Sequence, residues 1–135
     1  MRTATTRGAG ANGDDCPRTG HWSNCQVRRR LEQAGVAPQL APKPEQELPR
    51  VDAAPTVYLV GNAELAVYLF TDTAARHRAA RALDTLHFIS ASHGLTMRGE
   101  ATAIESDNLL ALLFSRKDQQ RERVSDALGA GPPQP

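Results

Sequence analysis

The 135-residue chain has few aromatic residues: three phenylalanines, two tyrosines and one tryptophan. Its core must therefore be built mainly from Leu, Val and Ala. The chain also has too few aromatic residues to line a ligand pocket with stacked rings. Long apolar runs are also missing. Even the longest runs, such as Leu109 to Phe114, have only six residues, far short of the roughly 18 that span a bilayer. We therefore expect neither a transmembrane segment nor an aromatic-lined site.

An excess of charge of either sign is missing too, because 16 basic and 15 acidic residues leave a formal net charge of +1. A dedicated nucleic-acid-binding protein needs a basic excess to neutralise phosphates, so nucleic acid is not the expected partner. The opening stretch MRTATTRGAGANGDD has no apolar core of a secretory signal. As written, the sequence predicts a cytoplasmic protein. A misplaced start codon with a signal upstream would instead predict a periplasmic or extracytoplasmic one.

Composition divides the chain into segments that can and cannot form a core. Residues 1–15 are expected to be a disordered tail, and residues 129–135 a flexible one. Residues 37–55 hold five prolines and predict an extended connection. Residues 16–36, which contain both cysteines, predict a braced helix, and residues 56–128 predict the core.

The core contains two similar stretches, TVYLVGNAELAVYLF and EATAIESDNLLALLF, which align with Leu65 on Leu109. Each predicts strand, polar turn and strand, followed by a helix, so an internal duplication is a hypothesis. The segments LAVYLF and LLALLF are apolar throughout, which predicts strands covered on both faces or lying at an interface. An extra strand is expected at residues 87–92. The predicted fold is a single α+β domain, α-ββ-α-ββ-α, with a mostly antiparallel four- or five-stranded sheet covered by helices on one face.

The segment DDCPRTGHWSNCQVRRRLEQAGV, residues 14–36, carries the signals of a helix start. Four residues match the capping box and the hydrophobic staple that surround such a start: Trp22, Ser23, Gln26 and Val27. Gly35 then fits the position where left-handed backbone ends a helix. A second capping box, beginning at Ser115, predicts the start of the last helix.

Helix phase places Cys25 away from the apolar face and toward the segment that carries Cys16. A disulfide between these cysteines, worth about 2–3 kcal/mol, is the favoured interpretation. A metal site with His21 is an alternative, although C-x4-H-x3-C is not a standard zinc spacing. A reactive thiol at Cys25, in the first turn of a helix, is another. We expect no metal and no other cofactor.

Groups arranged for catalysis are not recognisable, so we expect no catalytic residues and no enzyme activity. Glu100 and Glu105, for example, have the odd spacing that puts them on opposite faces of one strand. Binding is the better-supported expectation. The apolar strands predict self-association as a homodimer, and a helix face with Arg76, Arg78 and Arg81 is the candidate surface for a partner.

The cysteine–Trp–cysteine opening, the helix VRRRLEQAGVAP and the ending SDNLLALLFSRKDQQRERVSDALGAGPPQP resemble small uncharacterised bacterial proteins that are exported or lipoprotein-like. The resemblance covers most of residues 16–135 and implies no activity. Such relatives tend to begin with a hydrophobic export segment, which this sequence does not show. Together with the favoured disulfide, this resemblance predicts a non-enzymatic interaction or structural module of the bacterial cell envelope. The alternative is an intracellular regulator that binds nucleic acid or an acidic protein through its basic helix face.

Overall fold

A computed structural model describes residues 16–43, 48, 51–92 and 101–133, with the backbone alone for residues 83–92 and for residue 101. The tail expected at residues 1–15 lies outside the described residues. Within these residues, three helices and five strands follow one another: α1 (Asn24–Gln33), β1 (Gln39–Leu40), β2 (Thr56–Val60), β3 (Ala63–Leu69), α2 (Thr73–Ser92), β4 (Ala101–Ser106), β5 (Leu109–Phe114) and α3 (Asp118–Gly129). The predicted α+β single domain is confirmed.

The strands form one antiparallel sheet in the order β1-β2-β3-β5-β4. The two wholly apolar segments are its central strands, β3 and β5, which pair with Leu65 opposite Leu113. Both strands are buried along almost their whole length. This confirms the interpretation as strands covered on both faces, while self-association stays a prediction.

Alternate side chains of the strands enter two separate apolar layers. One layer packs under α1 and α3, which contribute Val27, Leu31, Val124 and Leu128. The other packs under the first half of α2, through Ala79 and Ala80, and under the connection that precedes β2. The expected covering by helices on one face therefore holds for α1 and α3, while α2 packs on the opposite face. Among the described residues, no helix is long and apolar enough to cross a membrane.

The two hairpins, β2–β3 and β4–β5, have the same two-residue turn. Its first residue has a positive φ in each case, 65° at Gly61 and 49° at Asp107. Glycine suits the first turn because a Cβ there would lie 3.2 Å from the Gln120 side-chain nitrogen. When the two turns are matched, Ala63 corresponds to Leu109. The alignment made from the sequence, which placed Leu65 on Leu109, is therefore shifted along the strand relative to the structure. Duplication of the two halves remains a hypothesis.

Two local predictions are wrong. Residues 87–92 continue α2 instead of forming a strand, because no glycine or proline interrupts the chain between residues 73 and 92 and helix elongation is cooperative. The fifth strand is β1, within the proline-rich connection. The capping box at Ser115 does not form either, since α3 begins only at Asp118 and Lys117 at its N-cap makes no side-chain cap bond. Ser115 instead accepts a bond from the Lys117 amide at 3.1 Å.

Candidate functional site

The stretch that precedes α1 and carries Cys16, residues 16–23, is called the cysteine segment here. It folds back onto the first turn of α1. The sulfur atoms of Cys16 and Cys25 lie at disulfide-bonding distance, and their Cα atoms are 5.5 Å apart, a usual separation for a disulfide. Ser23 caps α1 as predicted, accepting the Gln26 amide at 3.3 Å. In a capping box the Gln26 side chain would bond back to the N-cap amide, but here its Nε2 donates to the Pro17 carbonyl at 3.0 Å. The buried side chain of Gln26 therefore fixes the position of the loop between the two cysteines.

The metal interpretation finds no support in the part of the chain that the structure describes, where no three His, Cys, Asp or Glu side chains converge. His21 turns away from the cysteines toward the β4–β5 turn. There its Nδ1 lies 2.6 Å from Oδ2 of Asp107. No sequence pattern indicates this pairing, because the two residues are far apart in the chain.

Asn108 is the residue that fixes the cysteine segment to the sheet. Its side chain is buried and makes three hydrogen bonds: it accepts from the Trp22 amide at 2.7 Å, and it donates to the Trp22 carbonyl at 3.1 Å and to the Phe70 carbonyl at 3.0 Å. One amide thus joins the cysteine segment, the end of β3 and the β4–β5 turn. Sequence patterns assign Asn108 only to a turn and do not reveal this role.

Trp22 occupies the space between this turn and α1. Only 3% of its surface is exposed, and its indole nitrogen donates to the Ser106 hydroxyl at 3.1 Å. The Arg30 guanidinium lies 5.3 Å from the ring centroid, within the range of a cation–π contact. Trp22 and Val27 belong to one buried cluster, as the staple predicts, but the indole also forms part of the main core.

Asp107, the neighbour of Asn108 in the β4–β5 turn, contacts His21 and Thr73 through its carboxylate. Partial burial raises the pKa of the Asp107 carboxyl, but the hydrogen bonds from His21 and Thr73, together with the His21 charge, outweigh it. The pKa therefore lies below its ordinary value of 3.8. Thr73 Oγ1 donates to Oδ1 of Asp107 at 3.1 Å. The carboxylate consequently links the cysteine segment to the start of α2.

We expect Asp107→Asn to remove a pH-dependent part of the stability. Because the folded-state pKa is depressed, the carboxylate stabilises the fold above the ordinary value and loses this effect as the pH falls through the folded-state pKa. The stability difference between wild type and variant should therefore be largest near neutral pH and shrink toward about pH 3. Asn tolerates the positive φ. Urea midpoints across this range measure the effect, and a difference that does not change with pH would contradict it.

The candidate partner surface on α2 is only partly available. Arg76 donates from Nη1 to Glu105 at 2.6 Å and from Nε to the Asp107 carbonyl at 2.9 Å. Arg78 and Arg81 are exposed. The structure therefore gives Arg76 a local structural role and does not show the three arginines as one free patch.

Two open grooves flank α1 on the side of β1. The disulfide groove, of about 550 Å³, lies at the start of the helix and is lined by Cys16, Asn24, Cys25, Arg28, Arg29, Glu32, Leu40, Thr56 and Tyr58. The turn groove, of about 510 Å³, lies at the end of the helix. It is bordered by Lys117 and Arg123 and by no acidic residue.

The disulfide groove is lined by an exposed apolar side chain and by two arginines. Leu40 is 61% exposed and is the one large hydrophobic residue exposed among those described. It pairs across the sheet with Tyr58, whose hydroxyl donates to Asn24 Oδ1 at 2.9 Å. Burial raises the pKa of Tyr58 while the charge of Arg28 opposes the increase, so the Arg28 charge acts on the phenol of this groove.

These features define a small α+β protein in which a disulfide-braced helix is docked on a five-stranded antiparallel sheet. No family model, curated protein or solved structure matches the chain. The resemblance to exported bacterial proteins therefore stays a prediction.

Proposed function

We propose that this chain is a non-enzymatic interaction module of the bacterial cell envelope, and that it binds an extended, acidic segment of a protein partner in the disulfide groove. The observation that carries the proposal is the exposure of Leu40 in a groove that two arginines of α1 also line. An isolated exposed leucine is ordinary, but one that lies in a groove with cations has the composition of a recognition site.

The charge of the groove favours an acidic partner. Arg28 and Arg29 line it together with one acidic residue, Glu32, and Lys117 and Arg123 add positive charge in the neighbouring turn groove. Both grooves lie on the same side of the sheet, on either end of α1, so an extended acidic segment along β1 would meet positive charge in both. Such complementarity raises association rates and selects among partners.

The cysteine pair supports the envelope as the place of action. A bond between Cys16 and Cys25 forms and persists in an oxidising compartment and is rare in the cytosol. The brace also serves the groove directly, because both cysteines line it and their bond fixes the first turn of α1 against the preceding segment.

A labelled peptide of alternating Glu and Leu is expected to bind the protein, and a matched peptide of alternating Lys and Leu is not. Leu40→Ser and Arg28→Glu should each weaken binding at least about tenfold, or about 1.4 kcal/mol, because one removes the apolar contact and the other reverses the local charge. Fluorescence anisotropy measures the affinities, and binding should weaken with added salt.

Arg78→Glu is the matched control, since Arg78 is also exposed but lies on α2, away from the groove. It should leave the affinity unchanged. Equal binding of the Lys–Leu peptide would contradict the proposal. Loss of binding only in Arg78→Glu would favour the alternative of a regulator that uses its basic helix face.

A further inference from the structure

The two edges of the sheet differ in the backbone groups that they present. Phe70 donates from its amide to the Asn108 carbonyl at 2.9 Å. Antiparallel hydrogen-bonded pairs alternate along a strand, so residues 109, 111 and 113 of β5 point their backbone groups toward β4. Their partners there are residues 106, 104 and 102. Residues 101, 103 and 105 of β4 therefore direct their amides and carbonyls outward, away from the sheet.

The opposite edge is blocked by proline. Ala41 donates to the Val57 carbonyl at 2.9 Å, so by the same alternation the outward positions at β1 are residues 38, 40 and 42. Two of these are Pro38 and Pro42, which have no amide hydrogen. Proline at outward positions is a common means of preventing edge-to-edge pairing. β1 keeps a single outward amide, that of Leu40, whereas β4 contains no proline.

Charged side chains commonly protect an exposed sheet edge from pairing with another strand, but the charge in β4 is neutralised. Glu105 is its one charged residue, and Arg76 lies 2.6 Å from its carboxylate. Ala103, in the middle of the strand, is exposed and small. In the part of the chain that the structure describes, no hydrogen bond reaches the backbone of Ala103 from outside the sheet.

We infer that β4 pairs antiparallel with β4 of a second copy of this chain, about a two-fold axis at Ala103. The sheet would then continue from one copy into the other. In this register Ala103 faces its own counterpart, and residue 101 of each copy faces residue 105 of the other. The outward groups of all three residues find partners at once, because they are spaced symmetrically about the axis.

The second copy is favoured as occupant because this register is self-complementary in charge and polarity. Glu105 of each copy faces an alanine, so no like charges oppose one another, and it keeps its own Arg76. On the other face of the sheet Thr102 faces Ile104, which suits β structure on both sides. This inference is independent of the proposed groove and uses the other edge of the molecule.

The experiment uses the full chain and charge reversal at the residue that pairs with itself. Wild type should be a concentration-dependent dimer in analytical ultracentrifugation. Ala103→Lys and Ala103→Glu should each be monomeric, since two like charges meet on the axis, and an equimolar mixture of the two should regain the dimer as a heterodimer. Because Ala103 is exposed, both variants should keep the circular dichroism spectrum of the wild type.

Leu40→Lys, at the exposed outward position of β1, is the control and should remain a dimer. Its retention of the dimer together with the rescue by mixing would locate the contact at Ala103. A monomeric wild type at the highest concentration reached would overturn the inference. So would a dimer that persists in Ala103→Lys, or variants that stay monomeric when mixed.

Discussion

Asn108→Ala is expected to lower the free energy of unfolding by about 3 kcal/mol, because it leaves three buried backbone groups without partners. The lost bonds are those to the amide and carbonyl of Trp22 and to the carbonyl of Phe70. Each unsatisfied buried group costs about 1–3 kcal/mol, and water that enters the vacated space recovers part of the sum. Urea unfolding followed by circular dichroism measures the change.

Asn62→Ala is the matched control. Asn62 holds the same position in the β2–β3 turn but is exposed, so its replacement should cost no more than about 0.5 kcal/mol. Equal losses in the two variants would show that Asn108 acts only as a turn residue. The fluorescence of the single tryptophan should separate the cases as well, because Asn108→Ala frees the Trp22 backbone from the sheet.

Joint replacement of the cysteines, Cys16→Ser with Cys25→Ser, is expected to cost about 2–3 kcal/mol of stability, the loop-closure effect of a short disulfide loop. The loop closes over a sequence separation of nine. The start of α1 should fray first, because Ser23 and Gln26 then hold it without the covalent brace. Urea unfolding gives the total loss, and hydrogen exchange of the α1 amides locates it.

Alkylation of the unfolded, unreduced protein is the accompanying control. The chain has two cysteines, so a closed bond leaves no thiol to label and reduction exposes both. Two labelled thiols before reduction would contradict the disulfide and remove the main support for an oxidising compartment. In that case the double replacement should leave the stability almost unchanged.

Local patterns in the sequence were sufficient for the elements whose causes are local. Ser23 and Gly35 mark the two ends of α1, and the structure places both as expected: Ser23 caps the helix, and Gly35 has a φ of 83° just beyond it. The apolar strands predicted the centre of the sheet in the same way. Helix phase alone was sufficient to predict that Cys25 lies on the side of α1 that faces Cys16.

The features that could not be predicted depend on contacts between distant parts of the chain. Asn108 bonds Trp22 across 86 residues and Phe70 across 38. Nothing in the sequence SDN distinguishes such an anchor from an ordinary turn. β1 has only two residues and is defined by its pairing with β2. A strand this short has no periodic pattern from which it could be predicted. The disulfide groove was missed for this reason, since Leu40 enters it from β1.

The location of peptide binding is the most direct test of the proposed function. The Glu–Leu peptide should be titrated into isotope-labelled protein while the backbone amide signals are followed by NMR. We expect the largest shifts at Arg28, Leu40 and Thr56, with little change at Arg78 and Arg81. Shifts centred on α2, or no shifts at peptide concentrations that saturate the anisotropy signal, would contradict a recognition site in the disulfide groove.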